Sequence, residues 1–534
     1  MRFHRDQLFF LLAGMAGLAG VFAAVLLGHA PFLRLPYFWD EAGYYIPAAL
    51  DFYRHGLLIP QSTLPTGHTP LVPVYLALAW RAFGFSPRVT RVAMSLVAAA
   101  TLVSLYALAR RVFPGAPGRE VALWSCLLLA LSPLFFAQST LAHLDLAVAL
   151  FTTLAALALL RGSLAMFAVA ATLAILSKET AVVLLPVAAL LVWRRTRARL
   201  PGTPSDDRPD RPFKPYRLGE WLALACPALA LAAWALYYHH STGYWTGNAE
   251  YLRYNLYSTL SPVRMILSLA RRLYEVFISG FHGLLVAGAV WGAWQPQKRK
   301  MRNRGNGEKA TLFGDFAFVT IGLMAAYVLM LSVVGGAILP RYLLPIFPLF
   351  YLLAVALVWL LPRPKARLIL LAAAACFVSA WFINPPYPFP FEDNLAYADF
   401  VQLHRQAAQF LENDGSRLRI ATAWPASDEL TVPDLGYVAK PLQVEPMNGF
   451  TSDDFARLQP DSHDSFDLLY LYSREWNPPN NWLRRFPRLL CLQERYFAYA
   501  PQLPDSLLVD RFRLNLIAHF ERRGQWVRIY ARSP

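Results

Sequence analysis

The chain of 534 residues is poor in charge, because Asp, Glu, Lys and Arg make up only 16% of it. Soluble globular domains carry about 25% charged residues. Apolar residues make up 56% of the chain and its mean hydropathy is +0.35. These values exclude an ordinary soluble fold and indicate a protein whose helices cross a membrane several times.

Cysteine is also scarce, since the chain has only four. Cys126, Cys226 and Cys376 lie in apolar segments, and only Cys491 lies in the polar tail. A disulfide framework is therefore excluded. No spacing of Cys and His fits a zinc site, and the chain has neither a P-loop nor a glycine-rich dinucleotide motif.

Acidic residues are fewer than basic ones, 34 against 50, which gives a formal net charge of +16. A basic protein can bind nucleic acid, but here Lys and Arg concentrate in short loops between apolar segments. This distribution follows the positive-inside rule of membrane proteins. We therefore expect no nucleic-acid partner and use the basic loops to orient the chain.

Apolar runs predict about eleven transmembrane helices. They lie near residues 8–29, 89–112, 120–138, 144–160, 164–177, 180–193, 218–239, 274–294, 312–335, 342–361 and 367–384. We interpret the first run as an uncleaved helix, because it is long enough to span. Residues 70–84 form a shorter apolar run that contains Pro73, and we expect them to form a helix lying flat on the outer surface.

The basic loops predict the orientation of the protein. If residues 70–84 lie flat, all five basic candidate loops face the cytoplasm together with the N-terminus. We therefore expect an integral, multi-pass protein of the inner (plasma) membrane. Its outer loop, residues 30–88, and its polar tail then lie on the extracytoplasmic side.

The polar tail is long enough for one small domain. The segments "RLRIATAW" and "FDLLYLYS" have the pattern of strands, and "LAYADFVQLHRQAAQFLEN" has that of an amphipathic helix. The sequence therefore predicts two domains. Residues 1–384 form the transmembrane domain and residues 385–534 form a small extracytoplasmic α/β domain.

Acidic residues beside the membrane are the first candidates for function. Asp40 and Glu41, in "WDEAGYY", follow the first apolar segment directly, and carboxylates so close to a bilayer are costly unless they are used. Asp145, in "HLD", lies at the start of a later span on the same predicted side. A carboxylate there can take a proton from a hydroxyl group, but both Asp residues can equally cap a helix or favour its dipole.

Three cationic or titratable residues are the second candidates. His68, in "GHTPL", can meet a phosphate or be an interfacial histidine with a solvated tip. Lys178, in "LSKE", divides an apolar stretch into two short helices, and Glu179 is its candidate partner in a local ion pair. Arg341, in "PRYLLP", suits bidentate binding of phosphate oxygens, although snorkelling to the interface is the alternative.

Taken together, these motifs resemble those of the GT-C glycosyltransferases. The nearest group contains the protein O-mannosyltransferases and the aminoarabinose transferase of lipid A. The resemblance depends on "WDEAGYY", "GHTPL", "HLD", "LSKE" and "PRYLLPIFP", and it covers residues 1–350. It implies a GT-C-like transmembrane catalytic domain, a polyprenyl-phosphate-linked sugar donor and an active site on the outer face.

The resemblance also implies roles for individual residues. Asp40 would be the general base, Glu41 a neighbour that orients it or the acceptor, and Asp145 the second acid of the site. The donor phosphate would be held by His68, Lys178, Arg341 and Tyr342. No cofactor is certain, and a divalent metal at the paired carboxylates stays open.

The expected reaction is inverting transfer of a sugar to a hydroxyl or phosphate of a glycolipid, glycan or protein acceptor, among membrane lipids. A lipid or glycan transporter or flippase is the alternative, because intramembrane charges and broken helices also suit transport. A non-catalytic scaffold that displays the tail is a third interpretation.

Overall fold

The computed structural model describes residues 2–197, 218–295, 307–387, 389–414, 418–456, 466–476, 485–497 and 502–532. Parts of two basic loops that were expected in the cytoplasm, 198–199 and 298–304, lie outside these residues. The remainder forms a helical body that is followed by a smaller domain with a β-sheet.

The helical body contains sixteen described helices. They are α1 Arg2–Gly28, α2 Ile46–His55, α3 Leu71–Phe83, α4 Pro87–Val112, α5 Ala116–Leu131, α6 Pro133–Gln138, α7 Leu144–Arg161, α8 Leu164–Ser177, α9 Leu184–Arg197, α10 Leu218–Thr242, α11 Ala249–Asn255, α12 Pro262–Phe277, α13 His282–Ala293, α14 Gly307–Val333, α15 Phe347–Val358 and α16 Arg363–Ala380.

Six segments in the described part of the chain are long and apolar enough to cross a membrane. They are Pro87–Val112, Leu144–Arg161, Leu222–Thr242, Pro262–Ala293, Thr311–Val333 and Pro340–Val358. Shorter apolar helices accompany them at Gly14–Gly28, Leu71–Phe83 and Leu164–Ser177. The multi-pass helical architecture is therefore confirmed, while the count of eleven spans stays a prediction.

The interior of the helical body is formed around α7, which is buried on nearly every side. Alanine-rich faces let α4 and α8 pack closely against it. At the periphery, by contrast, α10 exposes large apolar side chains such as Leu222, Leu229 and Leu236. Exposed apolar surface of this kind is what a lipid-facing helix requires.

Several helices are shorter than the sequence predicts, because they break at particular residues. The predicted span 120–138 is divided at Ser132, where Pro133 begins a new helix. The predicted span 274–294 instead begins at Pro262 and is interrupted around Gly280, whose φ is 61°. Pro cannot continue a helix without losing a backbone hydrogen bond, and glycine tolerates a positive φ.

Two further features agree with the sequence. The expected break at Lys178 is present, because α8 ends at Ser177 and a 3₁₀ turn, Glu179–Val183, precedes α9. Helix α3 has 13 residues and is about 20 Å long at 1.5 Å per residue. It is therefore too short to span a hydrocarbon core of about 30 Å, and its flat orientation stays a prediction.

The C-terminal domain is α/β, as predicted. It contains α17 Ala396–Asp414, β1 Ile420–Ala423, α18 Ala426–Thr431, β2 Val444–Met447, α19 Ser452–Ala456, β3 Leu468–Tyr472, α20 Pro487–Phe497, α21 Asp505–Phe512, β4 Leu514–Arg522 and β5 Gln525–Arg532. The five strands form one sheet in the order β2-β1-β3-β5-β4. Strands β2, β1 and β3 are parallel, whereas β5 pairs antiparallel with β3 and β4.

The inner parallel strands of the sheet are buried. Strands β1 and β3 lie at its centre and are apolar and fully buried, as covered parallel strands usually are. Ile420 pairs with Val444 on one side and with Leu468 on the other. Helix α17 packs against β4 and β5. The segment before it is held against the helical body by hydrogen bonds from Leu395 N–H to the carbonyl of Trp381 and from Gln138 to the carbonyl of Glu392.

Candidate active site

The backbone turns sharply just before the acid pair. Trp39 has a φ of 44°, in the left-handed region that bulky residues rarely adopt. A π-helical turn, Glu41–Tyr45, follows and continues into α2; such turns are frequent at functional sites. The two neighbouring carboxylates, Asp40 and Glu41, have different partners as a result.

Asp40 forms an ion pair with Nη2 of Arg341. Arg341 belongs to a 3₁₀ turn, Pro340–Ile346, that precedes α15. The side chain of Asp40 makes no hydrogen bond that caps the following helix, so the capping interpretation is wrong. This side chain is 19% exposed while that of Arg341 is completely buried, so the carboxylate remains accessible and its cation is held in place.

Asp145 connects the second cation to the same cluster. It lies in the first turn of α7, and its Oδ1 accepts a hydrogen bond of 2.8 Å from Nζ of Lys178. Its Oδ2 lies 3.7 Å from Nε of Arg341. The structure therefore brings Asp40, Asp145, Lys178 and Arg341 together from four separate parts of the chain.

Glu179 is not the partner of Lys178, and the expected local ion pair between them is wrong. Lys178 has an extended backbone, with φ −162° and ψ 132°, so successive side chains point in different directions. Lys178 reaches Asp145, whereas the carboxylate of Glu179 lies 3.0 Å from Nδ1 of His68.

His68 lies beside a small pocket near this cluster. The pocket is lined, among others, by Tyr45, His68, Leu144, Trp234 and Tyr238. The indole of Trp234 donates a hydrogen bond of 3.1 Å to the carbonyl of Gly67, which ties the loop that carries His68 to α10. On the other side of the ring, the Tyr251 hydroxyl lies 3.5 Å from Nε2 of His68.

The aromatic ring of Tyr342 lies close to both cations. Nζ of Lys178 lies 4.0 Å from the ring centroid, and the guanidinium carbon of Arg341 lies 5.4 Å from it. A cation over a partly desolvated aromatic face is attracted by the negative charge of that face. The half-buried ring therefore helps to keep the two cations close to each other.

Glu41 is fully buried, and its carboxylate is occupied by protein groups. Arg91 of α4 forms a two-point ion pair with it, in which the contact from Nη2 is 2.9 Å long. The backbone N–H groups of Phe38 and Ala142 also donate to it, at 2.9 and 2.5 Å. Both carboxyl oxygens of Glu41 are therefore engaged by protein groups.

Arg91 was not singled out from the sequence. It is one of the largest fully buried side chains, and it also donates to the carbonyls of Pro36 and Thr140 at 2.9 and 3.0 Å. An arginine near the start of an otherwise apolar helix needs such partners. Its position in α4 was therefore a usable signal that Arg91 has partners inside the protein.

Glu392 is the acid of the cluster that the motifs did not indicate. It precedes α17, its side chain is 1% exposed, and its Oε1 lies 3.2 Å from Nη1 of Arg341. Burial raises its pKa to about 8, although the attraction to Arg341 acts in the opposite direction. The available signal was a pair of acids in the aromatic and proline-rich run "PPYPFPFEDN", because acids in such surroundings need partners.

A larger cavity, of about 690 Å³, lies between the helical body and the C-terminal domain. Two of its lining residues, Pro340 and Asp393, directly precede Arg341 and directly follow Glu392, so the cavity adjoins the cluster. Glu275, His282, Trp476 and Arg523 also line it. A largely apolar cavity of this size with a few polar groups is typical of sites for organic ligands.

A bound metal ion needs several ligand-type side chains that converge on one point. Among the described residues, no group of three or more His, Cys, Asp or Glu side chains is placed to hold a metal ion. The carboxylates of Asp40 and Asp145 are paired with Arg341 and Lys178.

Several solved structures are similar in outline. ArnT from Cupriavidus metallidurans bound to undecaprenyl phosphate is 13% identical, with 97% of this chain and 98% of that chain covered and a TM-score of 0.49. AglB from Archaeoglobus fulgidus, an archaeal oligosaccharyltransferase in complex with an inhibitory peptide and a dolichol-phosphate, is 12% identical over 82% of this chain and 65% of that chain, with a TM-score of 0.44.

The sequence comparisons are more limited. No curated protein matches the chain. One family model matches, and its description is dolichyl-phosphate-mannose-protein mannosyltransferase. It covers residues 67–203, the region from His68 through Asp145 and Lys178 to the end of α9, and thereby confirms the resemblance that the motifs predicted.

Proposed function

We propose that this protein is an inverting glycosyltransferase that moves a sugar from a polyprenyl-phosphate donor to an acceptor on the extracytoplasmic face. The observation that carries the proposal is the cluster in which Asp40 and Asp145 meet Lys178 and Arg341. Cations hold a phosphate leaving group, and an accessible carboxylate activates an acceptor. The cluster supplies both, because Lys178 and Arg341 are its cations and Asp40 is its accessible carboxylate.

The exposure of the acids assigns their roles. Asp40 is 19% exposed, whereas Asp145 is 2% exposed and Glu41 is completely buried. A general base must reach the proton that it removes, so Asp40 is the proposed base. Asp145 orients the two cations, and Glu41 positions Asp40 through its contacts with Arg91.

The proposed reaction is one in-line displacement. The acceptor oxygen forms a bond to the anomeric carbon while the bond from that carbon to the phosphate oxygen breaks. The proton of an acceptor hydroxyl goes to Asp40, and the electron pair of the broken bond leaves with the polyprenyl phosphate. Lys178 and Arg341 stabilise the negative charge that grows on this leaving group.

Tyr342 and His68 are proposed as further donor contacts because they lie beside the cluster. Tyr342 holds Lys178 and Arg341 together, and His68 borders the adjacent small pocket. His68 is engaged by Glu179, so it would contact the donor through Nε2. An amphiphilic acceptor, such as a glycolipid, fits the apolar lining of the larger cavity better than a free sugar does.

The orientation of the protein is part of the proposal. A cytoplasmic N-terminus and an extracytoplasmic C-terminal domain follow from the basic loops, and we place the protein in the inner (plasma) membrane. In this orientation the donor's isoprenoid tail stays in the bilayer while its phosphate reaches the cluster from the outer leaflet.

A reconstitution experiment tests the proposal and separates transfer from transport. Purified protein in liposomes would be supplied with polyprenyl-phosphate-linked sugars that carry a radiolabel in the sugar, together with lipid extracts as acceptors. Transfer predicts labelled acceptor and released polyprenyl phosphate. Movement of intact labelled donor between leaflets without any new product would favour the flippase alternative instead.

A further inference from the structure

Three carboxyl groups surround one guanidinium in the proposed active site. Nη2 of Arg341 contacts Asp40, its Nε faces Asp145 at 3.7 Å, and its Nη1 lies 3.2 Å from Glu392. All nitrogens of Arg341 that can bind a phosphate therefore already face an acid. A donor phosphate that uses Arg341 must displace at least one of these contacts.

The side chain of Glu392 has the fewest hydrogen bonds of the three acids. Neither Nη1 of Arg341 nor either carboxyl oxygen of Glu392 makes a hydrogen bond with any described residue, although all three atoms are buried. A buried ion pair is stabilising only when its geometry is good and its remaining polar atoms are satisfied. Nε of Arg341 and Oδ2 of Asp145 also lack a hydrogen bond, but Lys178 holds Asp145 through its Oδ1. Glu392 is therefore the acid that can leave Arg341 without breaking a side-chain hydrogen bond.

The charges of the cluster lead to the same conclusion. With all groups ionised, Asp40, Asp145 and Glu392 carry one charge more than Lys178 and Arg341 can neutralise. A phosphate diester would add a further negative charge to this buried site. Like charges at close range are strongly unfavourable in a low dielectric, so the site accepts an anion more readily when one carboxyl group is neutral.

We propose that Glu392 occupies Nη1 of Arg341 in the empty site and that the donor phosphate replaces it there. This inference rests on the proposed function, because it assumes that Arg341 binds the donor phosphate. Glu392 is thus a positioning residue from the C-terminal segment that keeps Arg341 in place between turnovers. It releases the guanidinium when the donor arrives.

The groups around Glu392 determine when this exchange is easy. The positive charge of Arg341 stabilises its carboxylate form, whereas the negative charges of Asp40, Asp145 and Glu41 favour its protonated form. Gln138 of α6 donates to the backbone carbonyl of Glu392 at 3.1 Å. The neighbouring Asp393 accepts a hydrogen bond from Tyr387. Its charged neighbours are Glu275, Arg271, Arg272 and Arg341, of which Arg341 acts on it least.

A dependence of donor affinity on pH follows from these contacts. Because burial raises the pKa of Glu392 to about 8, its carboxyl group is neutral below that pH and competes weakly with a phosphate. Above that pH it becomes a carboxylate and competes strongly. At pH 9 about a tenth of the molecules carry the neutral form, so the apparent Kd for the donor is expected to be about tenfold higher than at pH 7.

The test measures binding of the methyl diester of undecaprenyl phosphate to the full chain in nanodiscs at pH 7, 8 and 9. This probe carries a single charge that does not titrate in that range. The affinity of wild type for the probe is expected to fall about tenfold from pH 7 to pH 9. Glu392→Gln mimics the neutral form and is expected to bind equally well at all three pH values. Asp393→Asn, a change at the adjacent buried acid, should keep the wild-type profile.

Two results would overturn the inference. One is a wild-type affinity for the probe that is the same at pH 7 and pH 9. This measurement needs no variant, so it does not depend on whether Glu392→Gln folds. The other is a Glu392→Gln variant that loses affinity as wild type does. Failure of the wild-type protein to bind the probe at any pH would contradict the proposed function itself and remove the basis of this inference.

Discussion

Arg341 is the residue on which the candidate site depends most, because acids from three distant parts of the chain approach it. Asp40 follows α1, Asp145 begins α7 and Glu392 precedes α17. A guanidinium is always charged and presents several donors in a fixed plane. It can therefore organise several carboxylates and still offer nitrogens to a phosphate, which a lysine in its place would not do.

The first prediction compares two buried arginines that lie near the same ring. The guanidinium carbons of Arg341 and Arg272 lie 5.4 and 5.8 Å from the centroid of Tyr342, but Arg272 pairs with Glu275 and the carbonyl of Leu339 instead of the acid cluster. Arg341→Ala should weaken donor binding by about 10- to 100-fold, because it removes charged hydrogen bonds to the phosphate.

Arg272→Ala is the matched control and should weaken donor binding less. Titration of the purified variants with a polyprenyl phosphate, followed by tryptophan fluorescence, provides the comparison. Equal donor affinities in the two variants would contradict the assignment of Arg341 to the donor phosphate.

At the scale of elements, the site is assembled where helices are interrupted. Asp40 and Glu41 stand at the π-helical turn before α2, and Lys178 stands at the break between α8 and α9. Arg341 stands in the 3₁₀ turn before α15. A break in a helix leaves backbone N–H and C=O groups without helical partners and changes the direction of nearby side chains. Such breaks are tolerated at membrane depth where they are buried inside the protein.

The second prediction concerns the contact that fixes the first of these turns. Glu41→Gln leaves the buried guanidinium of Arg91 without a counter-charge, and removal of one partner from a buried ion pair costs about 3–5 kcal/mol. The thermal unfolding midpoint in detergent should therefore fall, and turnover should fall with it because the turn that positions Asp40 is weakened.

Asp434→Asn provides the control, because Asp434 pairs with the half-exposed Arg54 at the surface and such pairs contribute little. Its unfolding midpoint should match that of wild type. A Glu41→Gln variant with an unchanged midpoint and a large loss of turnover would instead place Glu41 among the reacting groups.

The sequence predicted the helical architecture, the α/β tail and the break at Lys178, because hydropathy and turn residues act locally. It did not predict the partners of the charged residues. The sequence suggested Glu179 as the partner of its neighbour Lys178, but the extended backbone at Lys178 directs the two side chains in different directions. Glu392 was missed because its partner is distant in sequence, and no local pattern reports which acid a folded chain brings to an arginine.

At the scale of the whole molecule, the C-terminal domain takes part in the site. Glu392 approaches Arg341 from it, and Trp424 packs against Trp39, the residue before Asp40, with ring centroids 5.4 Å apart. Tyr437 also donates a hydrogen bond of 2.9 Å to the carbonyl of Tyr37. The domain therefore supports the turn that carries the proposed base.

The third prediction tests the orientation of the whole chain. Single cysteines would be placed at the exposed positions Arg161 and Gln406, in a variant whose four native cysteines are replaced. Gln406→Cys, in the C-terminal domain, should react with a membrane-impermeant maleimide in intact cells. Arg161→Cys, at the end of α7, should react only after the membrane is permeabilised. The reverse pattern would contradict the proposed topology.

The most direct test of the central claim is the turnover of Asp40→Asn in the sugar-transfer assay. The change keeps the shape of the side chain and removes its ability to accept a proton, so kcat should fall by about 10²- to 10⁴-fold, the usual contribution of general base catalysis. Expression, thermal stability and binding of a polyprenyl phosphate should persist. An Asp40→Asn protein that transfers sugar at a rate near that of wild type would contradict the proposal that this carboxylate activates the acceptor.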